Sequence, residues 1–466
     1  MLRRHLLVGA ALLALAPFAH GGDKKDAPAA GAVPPAAVAA DPKIPFERYR
    51  LANGLEIILS ADKSVPLVAV NVWYHVGSGY EVPGKSGFAH LFEHMMFQGS
   101  KNVGEDRHFD ILKKIGAEQI NGTTNTDRTN YFEVVPSNQL ETALWLESDR
   151  MGHLLELLTK PSLDNQIDVV RNERRQSYDN RPYGKALFAE YEALYPEGHP
   201  YRHLTIGKHE DLVAASVDDV KGFFRTWYVP ANATIAIVGD IDIAATKQLV
   251  DKWFAAFPKS VKPAVVTIPA PAGKAATATV EDSFAKLRQI TFAWHSPAKY
   301  KDGDAELAIA ADALDTEGPG RLYKTLVYEK QLAQSVQVGQ DSKEFSGVFQ
   351  VTVTLRSDAN LEDVKKIVMD TVAQLAKEPL ADKEIARVVA DRESRAVYGL
   401  ESVFGRSQTL QQYNHFVGDP DRLSWDLDRY RHATPTKIRD VVATYLRPDA
   451  VVTIITLPAS AKEGAK

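Results

Sequence analysis

"TWYVPANATIAIV" at residues 226–238 and "TYLRPDAVVTIIT" at residues 444–456 are the stretches from which the architecture can be read. In each, a helix-forming segment ends in aromatic residues, meets a proline, and gives way to a run of Ile, Val and Thr suited to a strand. Proline cannot continue a helix, so it punctuates both units at the same place. Pro230 falls on Pro448, and Ile235 and Ile237 fall on Thr453 and Ile455, at an offset of 218. Two halves that close with the same helix–Pro–strand unit read as duplicated domains. The Pro/Ala-rich stretch 259–276 reads as a linker, between one domain over 43–258 and a homologous one over 277–460.

Upstream, "FERYRLANGLEIILSAD" (46–62) reads as strand, Asn53-Gly54 turn and strand, and "PLVAVNVWYHVGSG" (66–79) as a strand ending in glycines. Helices are expected over 87–97, with Ser86 as N-cap, and in "DRHFDILKKIGA" (106–117), stopped at Gly116. "TNYFEVVP" (129–136) is a strand, and two helical patterns follow before residue 180. The expected class is α+β: two homologous domains, each an antiparallel sheet with helices packed on one face.

At 466 residues the chain exceeds one compact core. Apolar residues make up 45% and charged residues 25%, an ordinary globular balance. The net charge of −5 is small and no block of like charge stands out, which argues against nucleic acid. "MLRRH" followed by "LLVGAALLALAPF" and small residues reads as a signal peptide over 1–21, with an apolar run shorter than the ~20 residues a membrane span needs. The expected location is therefore periplasmic or secreted, with no membrane span after cleavage. Residues 22–42 read as an Ala/Pro-rich spacer. The chain has no Cys, so any metal site must use His, Asp and Glu.

"GFAHLFEHMMFQGS" (87–100) places His90, Glu93 and His94 on an otherwise apolar helix. His90 and His94 are i and i+4, one turn apart on one face, so both imidazoles can reach one metal ion. Glu93 sets a carboxylate beside it, the residue type that takes a proton from a water on the metal. This H-x-x-E-H order inverts the H-E-x-x-H zinc peptidase motif. The offset of 218 carries the three positions to Ala308, Ala311 and Asp312. The second copy lacks the set, so the domain does not need it in order to fold. Zinc still wants a third protein ligand, and Glu173 in "VVRNERRQSYDNRPYG" is the candidate.

"HLFEH" with "NERRQSYDNRPYG" 79 residues later resembles the pitrilysin-type metallopeptidases, which include insulin-degrading enzyme, the mitochondrial processing peptidase and small two-domain bacterial members. The likeness extends through "NGTTNTDRTNYFEVVP", "LESDRMGHL" and "FFRTWYVPANATIAIVGD", strongly over about 45–245. The resemblance implies a zinc endopeptidase with one Zn2+ per chain, held by His90, His94 and Glu173, with Glu93 as general base. Where the family often carries a second Glu, this chain has Gln166, which supplies no charge. The resemblance also implies that extended peptides add as a strand beside "EQINGTTNT" (118–126), with Asn121 and Gly122 at the family's Asn–Ala pair.

The second domain departs from the family. An Arg and, seven residues on, a Tyr usually stabilise the developing oxyanion. In "LVYEKQLAQSV" (326–336) Val327 and Gln334 occupy those places. Arg321 and Tyr328 share the spacing but belong to the preceding turn. The expectation is a zinc-bearing subunit completed by a homologous partner that brings the Arg/Tyr pair, a heterodimer, with a homodimer as another arrangement. The rival is a non-catalytic scaffold or peptide-binding subunit of a larger assembly.

Overall fold

The protein is described by a computed structural model over residues 41–264 and 266–459. The expected signal peptide (1–21) and almost all of the spacer (22–42) lie outside the described residues. From Asp41 onward the chain forms one compact unit containing two sheets.

The first sheet contains β1 (Glu47–Arg50), β2 (Glu56–Ala61), β3 (Leu67–Tyr74), β4 (Glu118–Thr124), β5 (Thr129–Pro136) and β6 (Ala233–Gly239), in the order β1-β2-β6-β3-β5-β4. The second contains β7 (Ala276–Asp282), β8 (Gln289–Ser296), β9 (Ala333–Ser342), β10 (Gly347–Leu355) and β11 (Val452–Pro458), in the order β7-β11-β8-β10-β9. The order β2-β6-β3-β5-β4 repeats as β7-β11-β8-β10-β9, and the Pro230 and Pro448 units lead into the matching strands β6 and β11. The α+β class expected from the sequence is what forms. One pair in each sheet, β2–β6 and β7–β11, is parallel rather than antiparallel. Each joins strands far apart in the chain, and a long helical crossover permits that direction.

Alternation along β3 sends Val68, Val70, Val72 and Tyr74 into the core beneath the helices. Those helices are α1 (Phe88–Met95), α2 (Arg107–Lys114), α3 (Leu140–His153) and α4 (Lys160–Arg174). The other face of the sheet is apolar too, through Ile58, Ala69, Ala236 and Val238. It is covered by the helix Val403–Val417 from the second half. Gln411 on that helix donates to Asn71 O at 2.7 Å and Thr234 O at 2.9 Å. The exchange is reciprocal, because α5 (Gly184–Leu194) from the first half covers the second sheet against Val348, Val452 and Ile454. Each sheet is thus covered on both faces, once by its own half and once by the other. Strand β4 keeps one side open, as the last strand of its sheet. No helix among the described residues is long and apolar enough to cross a membrane.

Candidate metal and peptide site

Helix α1 begins at Phe88 because Gly87 adopts φ 88°, a left-handed conformation, where the chain passes Gly207 closely. Ser86 is not its cap, contrary to expectation. The Ser86 N–H and hydroxyl both donate to Asp211, at 3.0 and 2.5 Å. The first N–H groups of the helix go instead to the carboxylate of Glu81, from Gly87 at 2.8 Å and Ala89 at 2.7 Å. An acidic group at a helix N-terminus also meets the favourable end of the helix dipole. Sequence pattern missed Glu81 because it lies six residues before Gly87 and reaches back through space.

Phe88, Leu91, Phe92 and Met95 bury one side of α1. His90, Glu93 and His94 share the remaining side, and the two imidazole rings lie edge-on with centroids 4.8 Å apart. The C-terminal turn of α4 brings up Glu173, whose Oε2 is 3.7 Å from His90 Nε2 and 3.4 Å from His94 Nε2. Two ligands about 2.1 Å from one zinc ion at tetrahedral angles stand about 3.4 Å apart. The three side chains therefore fit a shared metal ion in both chemistry and spacing. Two residues after Glu173 the chain widens into a π turn, Arg175–Asp179, an irregularity frequent at functional sites.

The electrostatics suit the same use. Burial, with His94 adding to it, pushes His90 down to about 4, so its imidazole is neutral at pH 7 and has a free lone pair. A hydrogen bond with His94 holds the Glu173 carboxyl below the usual carboxylate range. Burial raises Glu93 above that range, opposed by the Thr124 hydroxyl, which donates to Glu93 Oε2 at 2.6 Å. Glu93 is thus tied to β4 and stands between that strand and the triad.

On β4 the structure separates the two expected peptide-contacting residues. Asn125 N–H bonds Arg128 O at 3.0 Å, so a hydrogen-bonded pair closes the β4–β5 hairpin. Ladder alternation then turns the backbone groups of Gly122 and Thr124 toward the open edge. A Cβ on Gly122 would lie 3.0 Å from Glu93 Cγ and from Phe97 Cε2. Gly122 is therefore where the β4 backbone meets Glu93, while Asn121 is exposed and belongs to the opposite face. Thr124 was not singled out from the sequence, although its position two residues past Gly122 on a strand puts it on the Glu93 face. Gln166 is buried on α4, two turns before Glu173.

The corresponding place in the second half is filled differently. The offset of 218 carries Arg174 to Arg392, and Arg392 Nη2 sits 2.7 Å from Asp312 Oδ2. An ion pair there joins the helices Asp304–Asp315 and Asp382–Gly399. Arg321 is engaged as well, donating Nε and Nη2 to Glu384 at 2.9 and 2.8 Å. Among the described residues one other trio could hold an ion: His108, Glu133 and Glu147. It is sealed in the core, with Glu147 already paired to Arg150.

Residues 56–195 match the family described as Insulinase (Peptidase family M16), and residues 214–391 match Peptidase M16 inactive domain. Zinc protease PqqE of Helicobacter pylori is 29% identical over 368 residues, which span 76% of this chain and 80% of that protein. The crystal structure of a protease from Helicobacter pylori matches with a TM-score of 0.83 at 25% identity, covering 89% of this chain and 100% of that one. A Pseudomonas fluorescens structure described as peptidase M16 inactive domain shares the fold, with a TM-score of 0.79 at 19% identity over 90% of this chain and 100% of that one. With both halves matched and the fold shared along nearly the whole chain, the protein belongs to the pitrilysin-type M16 family of peptidases.

Proposed function

We propose that the chain is a zinc-dependent endopeptidase that hydrolyses extended or unfolded peptides. His90, His94 and Glu173 are its zinc ligands and Glu93 its general base. The observation that carries this reading is the spacing of Glu173 from the two imidazoles, 3.7 and 3.4 Å. Bound zinc supplies a Lewis acid that lowers the pKa of a water to about 7 and polarises a peptide carbonyl. The chain's own residues do the rest. Gly122 and Thr124 offer backbone groups that hold the substrate extended as an added strand. Glu93, oriented by the Thr124 hydroxyl, takes the water's proton and passes it to the leaving amine.

The substrate-binding role belongs to Gly122, with Asn121 flanking it on the other face. Gln166 stands where a second carboxylate would otherwise add charge. The division of labour falls at the linker 259–276, with the metal residues in 43–258 and none in 277–460. Val327 has no side-chain donor, Gln334 offers a neutral amide in place of the Tyr hydroxyl, and Arg321 is committed to Glu384. A homologous partner subunit bringing the Arg/Tyr pair completes the oxyanion side. The test measures zinc by mass spectrometry and assays digestion of an unfolded peptide, for the chain alone and with candidate partners. One zinc per chain, with cleavage dependent on the partner, is expected. Full activity of the chain alone overturns the partner, and absence of zinc overturns the enzyme.

A further inference from the structure

The half without the metal residues reaches the peptide edge at the turn Asn125–Arg128 that closes the β4–β5 hairpin. That turn is gripped from two sides. On one side lies the strap Gly77–Tyr80 of the first half. Ser78 N–H donates to Asn125 O at 3.0 Å and Gly79 N–H to Thr126 O at 2.7 Å. The strap needs its glycines, because a Cβ on Gly77 would collide with Asn125 O and one on Gly79 would lie 2.8 Å from Thr126 O.

On the other side lies the tip of the β9–β10 hairpin from the second half. Glu344 N–H donates to Asp127 Oδ2 at 3.0 Å, and Phe345 N–H donates to the Tyr201 hydroxyl oxygen at 3.1 Å. The Tyr201 hydroxyl donates in turn to Asp127 Oδ1. Tyr80 closes the ring by donating to Glu344 Oε2 at 2.6 Å. The Phe345 ring stacks on Tyr201, with centroids 5.3 Å apart and planes 27° apart. Asp127 is 2% exposed, and both of its oxygens are spent on this network.

A carboxylate buried so deeply is costly unless its partners are fixed. Here they fix a turn that begins one residue after Thr124, the residue whose hydroxyl holds Glu93 and whose backbone faces the open edge. An edge strand has one neighbour in its sheet, so its free end frays readily. A peptide that pairs with a frayed edge must first order it, which weakens binding.

We infer that the β9–β10 tip of the metal-free half, acting through Glu344, Phe345, Tyr201 and Asp127, is a positioning element that keeps the peptide-binding edge ordered. This rests on the reading of β4 as the peptide edge. The metal-free half then serves the site by rigidity rather than by donating to the substrate.

The test compares Tyr201→Phe and Phe345→Ala with Arg48→Ala in the full chain with its partner. Arg48 bonds Asn414 Oδ1 at 3.0 Å and Gly418 O at 2.8 Å, joining the halves at β1, the opposite end of the sheet. Zinc content, peptide kinetics and hydrogen exchange of the amides of 122–130 are measured. Tyr201→Phe and Phe345→Ala are expected to keep their zinc, to exchange these amides about tenfold faster, and to raise KM about five- to tenfold with kcat within about twofold. Phe345→Tyr restores both readouts, and Arg48→Ala changes neither. Wild-type exchange and KM in Tyr201→Phe, or an equal rise of KM in Arg48→Ala, overturns the inference. Tyr201→Phe keeps the ring packing and so remains decisive if Phe345→Ala fails to fold. If the wild-type protein cleaves no peptide, the proposed function fails, and exchange alone still decides whether the tip orders the turn.

Discussion

Glu93 is pulled in opposite senses: burial raises its proton affinity, and the Thr124 hydroxyl lowers it. Replacing Glu93 by Gln keeps the shape and removes the basic oxygen. Glu93→Gln is expected to retain one zinc per chain and to lose at least about a thousandfold in kcat, read by metal analysis beside a peptide assay. Normal turnover of that variant would remove Glu93 from its role. Thr124→Val tests the support rather than the base. Its methyl replaces a donor 2.6 Å from the carboxylate, and kcat/KM should fall about tenfold with zinc unchanged. The contrast shows what could be read in the residues themselves. His90, Glu93 and His94 declare themselves because their spacing is local to one helix. Thr124 and Glu81 do not, because each meets α1 only after the chain has folded back.

At the scale of elements, α1 and β4 form a unit: the helix presents Glu93, the proposed base, and the strand presents the backbone that would hold a peptide against it. Gly122 is the contact point, with no room for a side chain between Glu93 and Phe97. Gly122→Val is expected to push β4 away from α1 and cut kcat/KM by about a hundredfold, while Asn121→Ala, on the exposed face, changes it less than about threefold. Steady-state kinetics on the pair decides this, and equal losses would show that the two faces of β4 had been assigned wrongly. Turn chemistry located the first hairpin from sequence, where the strands flanking Asn53-Gly54 pair as expected with Gly54 at φ 101°, whereas β4 came only through the family resemblance. The start of α1 was harder. Ser86 has the composition of an N-cap, but tertiary contact with Asp211 claims its side chain and a neighbouring glycine makes the turn.

At the scale of the whole molecule the two halves trade helices, and this was not legible in the sequence. An apolar stripe shows that a helix must be buried; it does not say against which sheet. Both traded contacts carry a titratable group, with opposite signs. On the first sheet, His415 from the helix Val403–Val417 stacks on His75 with centroids 3.7 Å apart. Burial, with Lys262 adding to it, pushes His75 down to about 3, and burial with His75 beside it holds His415 well below its ordinary value. Arg128, Lys262 and Lys299 add positive charge around the pair. Folding keeps both rings neutral, so below about pH 6.5 the unfolded chain binds protons that the folded chain refuses. Their contribution is complete above that pH and is lost as the pH falls below it. On the second sheet, Glu190 of α5 accepts from Gln350 at 2.8 and 2.7 Å, and burial raises its carboxyl to about 7. That contribution is complete below about pH 4.5 and is lost as pH rises through 7. Below pH 6.5 the two histidines outweigh the one carboxyl, so the protein should melt highest near pH 6.5, with Glu190 blunting the rise and adding a fall toward pH 7. Calorimetry from pH 4.5 to 9 is expected to show His415→Phe flattening the rise below pH 6.5, and Glu190→Gln steepening that rise and removing the fall from pH 6.5 to 7. A wild-type profile in both variants would mean that neither exchanged helix governs how the halves hold together.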